Sequence, residues 1–426
     1  MSYTNELFNF IKSSPTAYHT VDTVKSMLVS AGFTEVQEND TDKLSGGGKH
    51  FVIRGGSSII AFKGRATNGG FMICASHSDS PCFKVKDEAC LAGYTGLATE
   101  KYGGMIHYTW LDRPLSVAGR LCVKTDSGFK TVLVNVENPI LTIPSVAIHL
   151  NRSVNDGYKF NPAVDLLPLA GGKDAKGKLM QILAEKAGVN ADDIISKDIF
   201  LYNADEGKVV GIDGEYILCP RVDDLGCVYA STRAIIDAPE SKDSVAVLAV
   251  FDNEEVGSET KQGAMSTFLD MTLRAIAGSE EKYRAMLLNS FMVSADNAHA
   301  LHPNHPELYD RTNNATLGEG IVVKYNANQR YATDAISEAV FALLANKAEI
   351  KLQRFSNRAD MVGGSTLGSI SNTRVAIPTV DIGLPQLAMH SANETAAVSD
   401  LNDMVSVIKE LYSSVVINNG NDIKIS

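Results

Sequence analysis

The chain lacks an excess of positive charge, paired cysteines and any long apolar run. Its 39 Lys and Arg stand against 50 Asp and Glu, for a net charge of −11. So acidic a chain is a poor partner for phosphate backbones and anionic lipid, and neither a nucleic-acid nor a membrane partner is expected. No stretch reaches the ~18 apolar residues that a spanning helix needs. The six cysteines (Cys74, Cys82, Cys90, Cys122, Cys219 and Cys227) show no CxxC spacing. A zinc site built on thiolates is therefore not expected, and the thiols read as reduced ones in a cytoplasmic protein. The opening residues, MSYTNELFNFIKSS, offer no basic segment followed by an apolar one. No signal peptide is expected there.

What remains is an ordinary globular composition, 44% hydrophobic and 21% charged. At 426 residues the chain is too long for one ordinary core. SSPTAYHTVDTVKSMLVSAGF reads as helical, and GGFMICASHSDSP as a short apolar strand. From about Cys82 to Cys219 the segments alternate and are short: RLCVKTD, KTVLVNVE and SVAIHL. A glycine-rich loop and one helix, LMQILAEKAGV, interrupt them. From Arg221 onward helices and buried strands take turns. DDLGCVYASTRAIIDA, TDAISEAVFALLANKA and DLNDMVSVIKELYSSVV read as helices; SVAVLAVFD, SFMVSAD and VAIPTVDIG read as strands. The economical expectation is an α/β domain built from 1–82 and 220–426, interrupted by a β-rich insertion over 83–219. The last residues, NNGNDIKIS, are expected to be a loose tail.

Acidic residues and histidines gather where such strands end. His77 and Asp79 stand in CASHSDSP, Glu254 and Glu255 in FDNEEVGS. Asp296, His299, His302 and His305 stand in VSADNAHALHPNH, and His390 in QLAMHSANE. Asp223 and Asp224 instead precede a helix. In open α/β sheets ligands bind beyond the carboxyl ends of the strands. Each residue has a plainer reading. Asp223 suits a helix N-cap, Asp296 a turn, His390 a hydrogen-bonded core position, and the glutamates a solvated pair. Taken together they are harder to dismiss, because several buried carboxylates are very costly unless cations neutralise them. Two divalent ions, three carboxylates, two neutral imidazoles and one hydroxide sum to zero charge. Mixed His and carboxylate ligation suits zinc, with cobalt or manganese as substitutes. Two such ions acidify a water and polarise a carbonyl, and a further acidic group is then needed to move the proton. One glutamate of the pair can be a ligand and the other the base. On a strand, adjacent side chains diverge, so both do not reach one ion merely by being neighbours.

The ordered set HSDSP, RVDDLG, DNEEVGS, SADNAHALHPN and QLAMHSANE resembles the aspartyl aminopeptidase family of dinuclear zinc metallopeptidases. YGGMIHYTWLDRPLSVAGR, SVAIHLNRSVNDG and VVKYNANQRYATD extend the match over nearly the whole chain. The resemblance implies a mixed-sheet α/β/α zinc-peptidase domain with an inserted dimerisation domain. It implies two zinc ions per subunit. His77 and Asp296 would hold one, Glu255 and His390 the other, with Asp223 bridging. Glu254 matches the general base, and Asp79 the aspartate that holds the ligand imidazole in place. His149 matches a histidine supplied to a neighbouring subunit's site, within a homododecamer built from dimers. Short peptides are the implied substrates, cut after an N-terminal Asp or Glu. Lys324 matches a lysine near the pocket for that side chain, and Arg358 would add charge. Lys324 also has the plain reading of a solvated strand-edge lysine, and Arg358 that of a structural partner for Asp360. Acidic-specific relatives carry other residues where this chain has MVGG, so a neutral or apolar first residue is the alternative. A peptide-binding shell protein without catalysis is the competing class.

Overall fold

The computed structural model describes residues 3–420 and 422–426. Its centre is a nine-stranded mixed sheet. The strand order is Thr34–Glu35, Gly48–Arg54, Ser58–Gly64, Val245–Phe251, Phe71–His77, Phe291–Ala295, Thr379–Gly383, Ile321–Tyr325 and Leu352–Ser356. The middle strands are buried throughout and largely apolar because both faces of the sheet are covered. Alternate residues serve opposite sides. Met72, Cys74, Ala246, Leu248 and Val250 pack with the helices Tyr3–Ser13, Ala17–Ser30, Val222–Asp237 and Val398–Ser413. Phe71, Ile73, Ala75, Val247 and Phe251 pack against the helix Phe268–Ala277 and Tyr283. The result is a three-layered α/β/α sandwich.

Sheet register gathers the strand ends that matter. Val245–Phe251 runs parallel to Phe71–His77, with Phe251 opposite His77. Phe291–Ala295 runs parallel to Phe71–His77 on its other side. His77, the Glu254–Glu255 turn and Asp296 therefore emerge along one edge of the sheet, as parallel pairing requires.

Every strand of a second, six-stranded sheet comes from residues 82–203: Cys82–Leu91, Tyr94–Tyr102, Leu115–Thr125, Gly128–Asn135, Leu169–Gly171 and Ile194–Asn203. Its pairings are antiparallel. It has its own core around Phe83, Trp110, Val117, Leu121 and Leu201. A third sheet, not evident in the sequence, pairs Tyr216–Cys219 with Glu394–Ala397. This pairing carries the His390 loop to the start of the helix that bears Asp223. The final residues are not a loose tail: Ile423–Ile425 pairs antiparallel with Val416–Asn418.

Candidate metal centre

Asp223 stands at the middle of the acidic cluster and faces two ways. Its Oδ1 lies 3.5 Å from His77 Nε2, and that nitrogen is 3.7 Å from Asp296 Oδ1. Its Oδ2 lies 3.4 Å from His390 Nε2, and that nitrogen is 3.4 Å from Glu255 Oε1. Two donor sets thus share one carboxylate. The plain readings of Asp223 and Glu255 fail on geometry. Asp223 makes no N-cap bond to the helix it opens, and Asp223 Oδ1 and Glu255 Oε1 are buried without a hydrogen-bond partner among the described residues. Orphaned buried oxygens are costly unless something else satisfies them. A tetrahedral zinc with bonds of ~2.1 Å sets its ligand atoms about 3.4 Å apart, matching these four separations. The donor set therefore fits zinc.

The neighbours of the donors fix their directions. His77 Nδ1 is turned to the Asp79 carbonyl at 3.1 Å and to Asp79 Oδ1 at 3.4 Å, which leaves Nε2 pointing at the acids. His390 Nδ1 is turned to the Gly104 carbonyl at 2.7 Å. Asp79 also receives the backbone N–H groups of Glu254 and Glu255, each at 3.2 Å, one on each carboxylate oxygen. One buried aspartate thus orients an imidazole and anchors the glutamate pair. The glutamates do not end the strand, as their position after the apolar run suggested. They sit beyond it on a 3₁₀ turn, Glu254–Val256, introduced by Asn253 at φ 63. It is the turn, and not the pleat of a strand, that parts their side chains. Glu254 comes within 4.8 Å of His77 and Glu255.

Charge crowding shifts the titrations. Burial opposes ionisation of Asp223, yet the imidazoles of His390 and His77 outweigh it and hold the carboxyl below its usual range. Burial acts to lower His390, but Asp223 and Glu255 carry it up to about 10. Burial is also the largest cause at Glu254, which rises to about 8, with Asp296, Asp79 and Asp223 adding to it against His77. A cation among these groups reverses the push on the carboxylates.

The other candidates stand outside the two donor sets. Lys324 is no solvated edge lysine. Only 2% of it is exposed, and its ammonium donates to the Asp296 carbonyl at 2.7 Å, Asp296 Oδ2 at 3.3 Å and the Asn297 carbonyl at 3.3 Å. Arg358 pairs with Asp360 through both Nε and Nη2, at 2.6 and 2.9 Å. His149 lies in an exposed segment, residues 144–150. His302 accepts from the Asn304 N–H within its own loop, and the His299 ring tilts against Phe355. Neither joins the donor sets.

Three contributors carried no signal of their role in the sequence. Tyr102, at the end of a strand of the six-stranded sheet, donates its hydroxyl to Asp79 Oδ2 at 2.5 Å and accepts from Asn253 Nδ2 at 2.9 Å. Gly103, at φ 77, passes so close that a Cβ there would sit 3.1 Å from Glu255 Cβ. Glu394 accepts the backbone N–H groups of Asp223 and His390 at 2.9 and 2.7 Å. YGG and ANE stand inside the ordered motifs, but apart from His390 the partners that give them these roles lie at least 23 residues away in the chain.

The family profile described as Aminopeptidase I zinc metalloprotease (M18) matches residues 10–412. The chain belongs to that family. It is 42% identical over 429 residues to a probable M18 family aminopeptidase 2 of Clostridium acetobutylicum, covering 97% of this chain and 99% of the relative. It is 36% identical to a probable aspartyl aminopeptidase of Ricinus communis, covering 94% and 93%. Among solved structures, the one titled "Cryo-EM structure of the Ape4 and Nbr1 complex" superposes with a TM-score of 0.93 at 32% identity, over 96% of this chain and 85% of that one. "Structure of S. cerevesiae mApe1 dodecamer" superposes with a TM-score of 0.84 at 27% identity, over 96% of each. As an M18 enzyme the chain is a zinc-dependent aminopeptidase, and the cluster around Asp223 is where its residues suit zinc. No helix of the described residues is long and apolar enough to cross a membrane.

Proposed function

We propose that this M18 aminopeptidase works with two zinc ions per subunit and uses Glu254 as its general base. The observation that carries the reading is Asp223, whose two oxygens face two separate His-and-carboxylate sets. His77, Asp223 and Asp296 would hold one ion, and Asp223, Glu255 and His390 the other. When bound, the pair supplies a polarised scissile carbonyl and an acidified water. The chain's own residues do the rest. Glu254 takes the proton of the attacking water on its carboxylate and delivers it to the leaving amine. Asp79 keeps Glu254 in reach by gripping its backbone N–H, and keeps the His77 Nε2 lone pair facing the acids.

Residues 1–82 and 220–426 form the catalytic domain in this reading, and 83–219 the dimerisation insertion of a cytoplasmic homododecamer. The exposed apolar side chains Val146, Ile148, Leu150 and Val164 support an interface on that insertion. Through such an interface His149 would reach a neighbouring subunit's site. The dodecameric relative supports the assembly.

An N-terminal Asp or Glu is the favoured substrate residue, on the likeness to the Ricinus protein named an aspartyl aminopeptidase. Lys324 and Arg358 are the cations proposed to favour it. One observation favours a neutral or apolar residue instead: both cations already have anionic partners, Asp296 and Asp360. Hydrolysis of a panel of aminoacyl-anilides by protein of measured zinc content tests these readings. Fastest release from Asp and Glu anilides is expected. Fastest release from Leu or Met anilides selects the second reading, and release from none selects a non-catalytic peptide-binding shell.

A further inference from the structure

We propose that Glu394, Gln386 and Asn297 are positioning residues that together set the spacing of the segments carrying Asp223, Asp296 and His390. The proposal rests on the two-zinc reading. Each of the three side chains is buried, with 1–3% exposed. Glu394 divides its carboxylate between two ligand residues: Oε2 accepts the Asp223 N–H and Oε1 the His390 N–H. Gln386 Nε2 donates to Glu394 Oε1 at 3.5 Å, the longest link. Asn297, next to Asp296, donates through Nδ2 to Gln386 Oε1 at 2.7 Å and to the Val222 carbonyl at 2.9 Å. Its own oxygen accepts from Cys227 Sγ at 3.2 Å.

The connection closes on itself. Asp223 is held from its N–H by Glu394 and from the preceding carbonyl by Asn297. Asp296 is held through its neighbour Asn297, and His390 through Glu394. Three segments remote in the chain are tied by side chains that touch none of the donor atoms. Polar groups at this depth cost more to bury than apolar ones of equal size unless they are satisfied. Here three of the four short bonds end on backbone that belongs to, or adjoins, the ligand residues, and the fourth ties Asn297 to Gln386. That direction argues for fixing ligand separation, because a bidentate bridge tolerates little change in distance between its two donor sets.

Glu394→Gln replaces one accepting oxygen with an amide that cannot accept, leaving one of the two N–H groups facing a donor. Stepwise zinc affinity of the full chain, read by competition with a chromophoric chelator, is expected to weaken about 10–100-fold at the site of Asp223, Glu255 and His390, with a smaller change at the other. Gln386→Leu, which cuts the links to Asn297 and Glu394 and spares the two backbone N–H bonds that Glu394 accepts, is expected to weaken zinc binding about tenfold. It decides the matter if Glu394→Gln does not fold. A merely structural role lowers the melting temperature but leaves zinc affinities of the folded chain unchanged, and that result overturns the proposal. A wild-type chain that takes up only one zinc refutes the two-zinc reading. Two zincs in the wild type with unaltered affinities in the variants refutes the brace alone.

Discussion

Replacing Lys324 with Met keeps the aliphatic stem and removes a cation from the interior. The ammonium sits 3.3 Å from Asp296 Oδ2 and donates to two carbonyls as well. At that separation and an effective dielectric constant of about 20, the attraction is about 5 kcal/mol. The stem can still pack against the Tyr331 ring, over which the ammonium now lies at 5.3 Å from the centroid. The main loss is therefore electrostatic, and Asp296 is left as a buried carboxylate without its partner. Breaking a buried pair from one side costs about 3–5 kcal/mol. Zinc changes the sum. A cation on the other oxygen of Asp296 neutralises the same carboxylate, so the zinc-loaded variant is expected to lose less stability than the stripped one. Urea titration of both forms, at one protein concentration, gives the two differences. A deficit below about 1 kcal/mol in the stripped form would refute the buried-pair argument. Equal deficits with and without zinc would show that Asp296 does not face the metal.

Glu254→Gln is expected to keep zinc content near that of the wild type while turnover falls about 10²–10⁴-fold, and normal turnover would remove Glu254 as the base. Asp223→Ala is expected to lose both ions, because it alone belongs to both donor sets; metal analysis finding two zincs per chain would refute the bridge. Tyr102→Phe takes one of three donors from Asp79 and is expected to slow turnover about tenfold with zinc retained. Unaltered rates would mean that the two backbone N–H groups suffice to hold Asp79.

Local pattern in the sequence determined a good deal. Apolar runs such as VAVLAVF and FMICASH mark strands that are buried on both faces, and the residues just after each run must emerge at a sheet edge. That placed His77, Glu254, Glu255 and Asp296 among the candidates, and the ordered motifs pointed to the family. The helical periods around 222–237, 335–347 and 398–413 appear in the fold as helices where the sequence suggested them. Tertiary structure alone decided the rest. Which strand lies beside which depends on pairing between distant segments, and periodicity carries no record of it. The third sheet, which seats His390 opposite Asp223, has strands of only a few residues and gave no signal. Lys324 looked the same as a solvated lysine until Asp296 was packed against it. Tyr102, Glu394, Gln386 and Asn297 take their roles from partners up to 171 residues away. A polar side chain's task is set by what it is buried against, and only the folded chain supplies that.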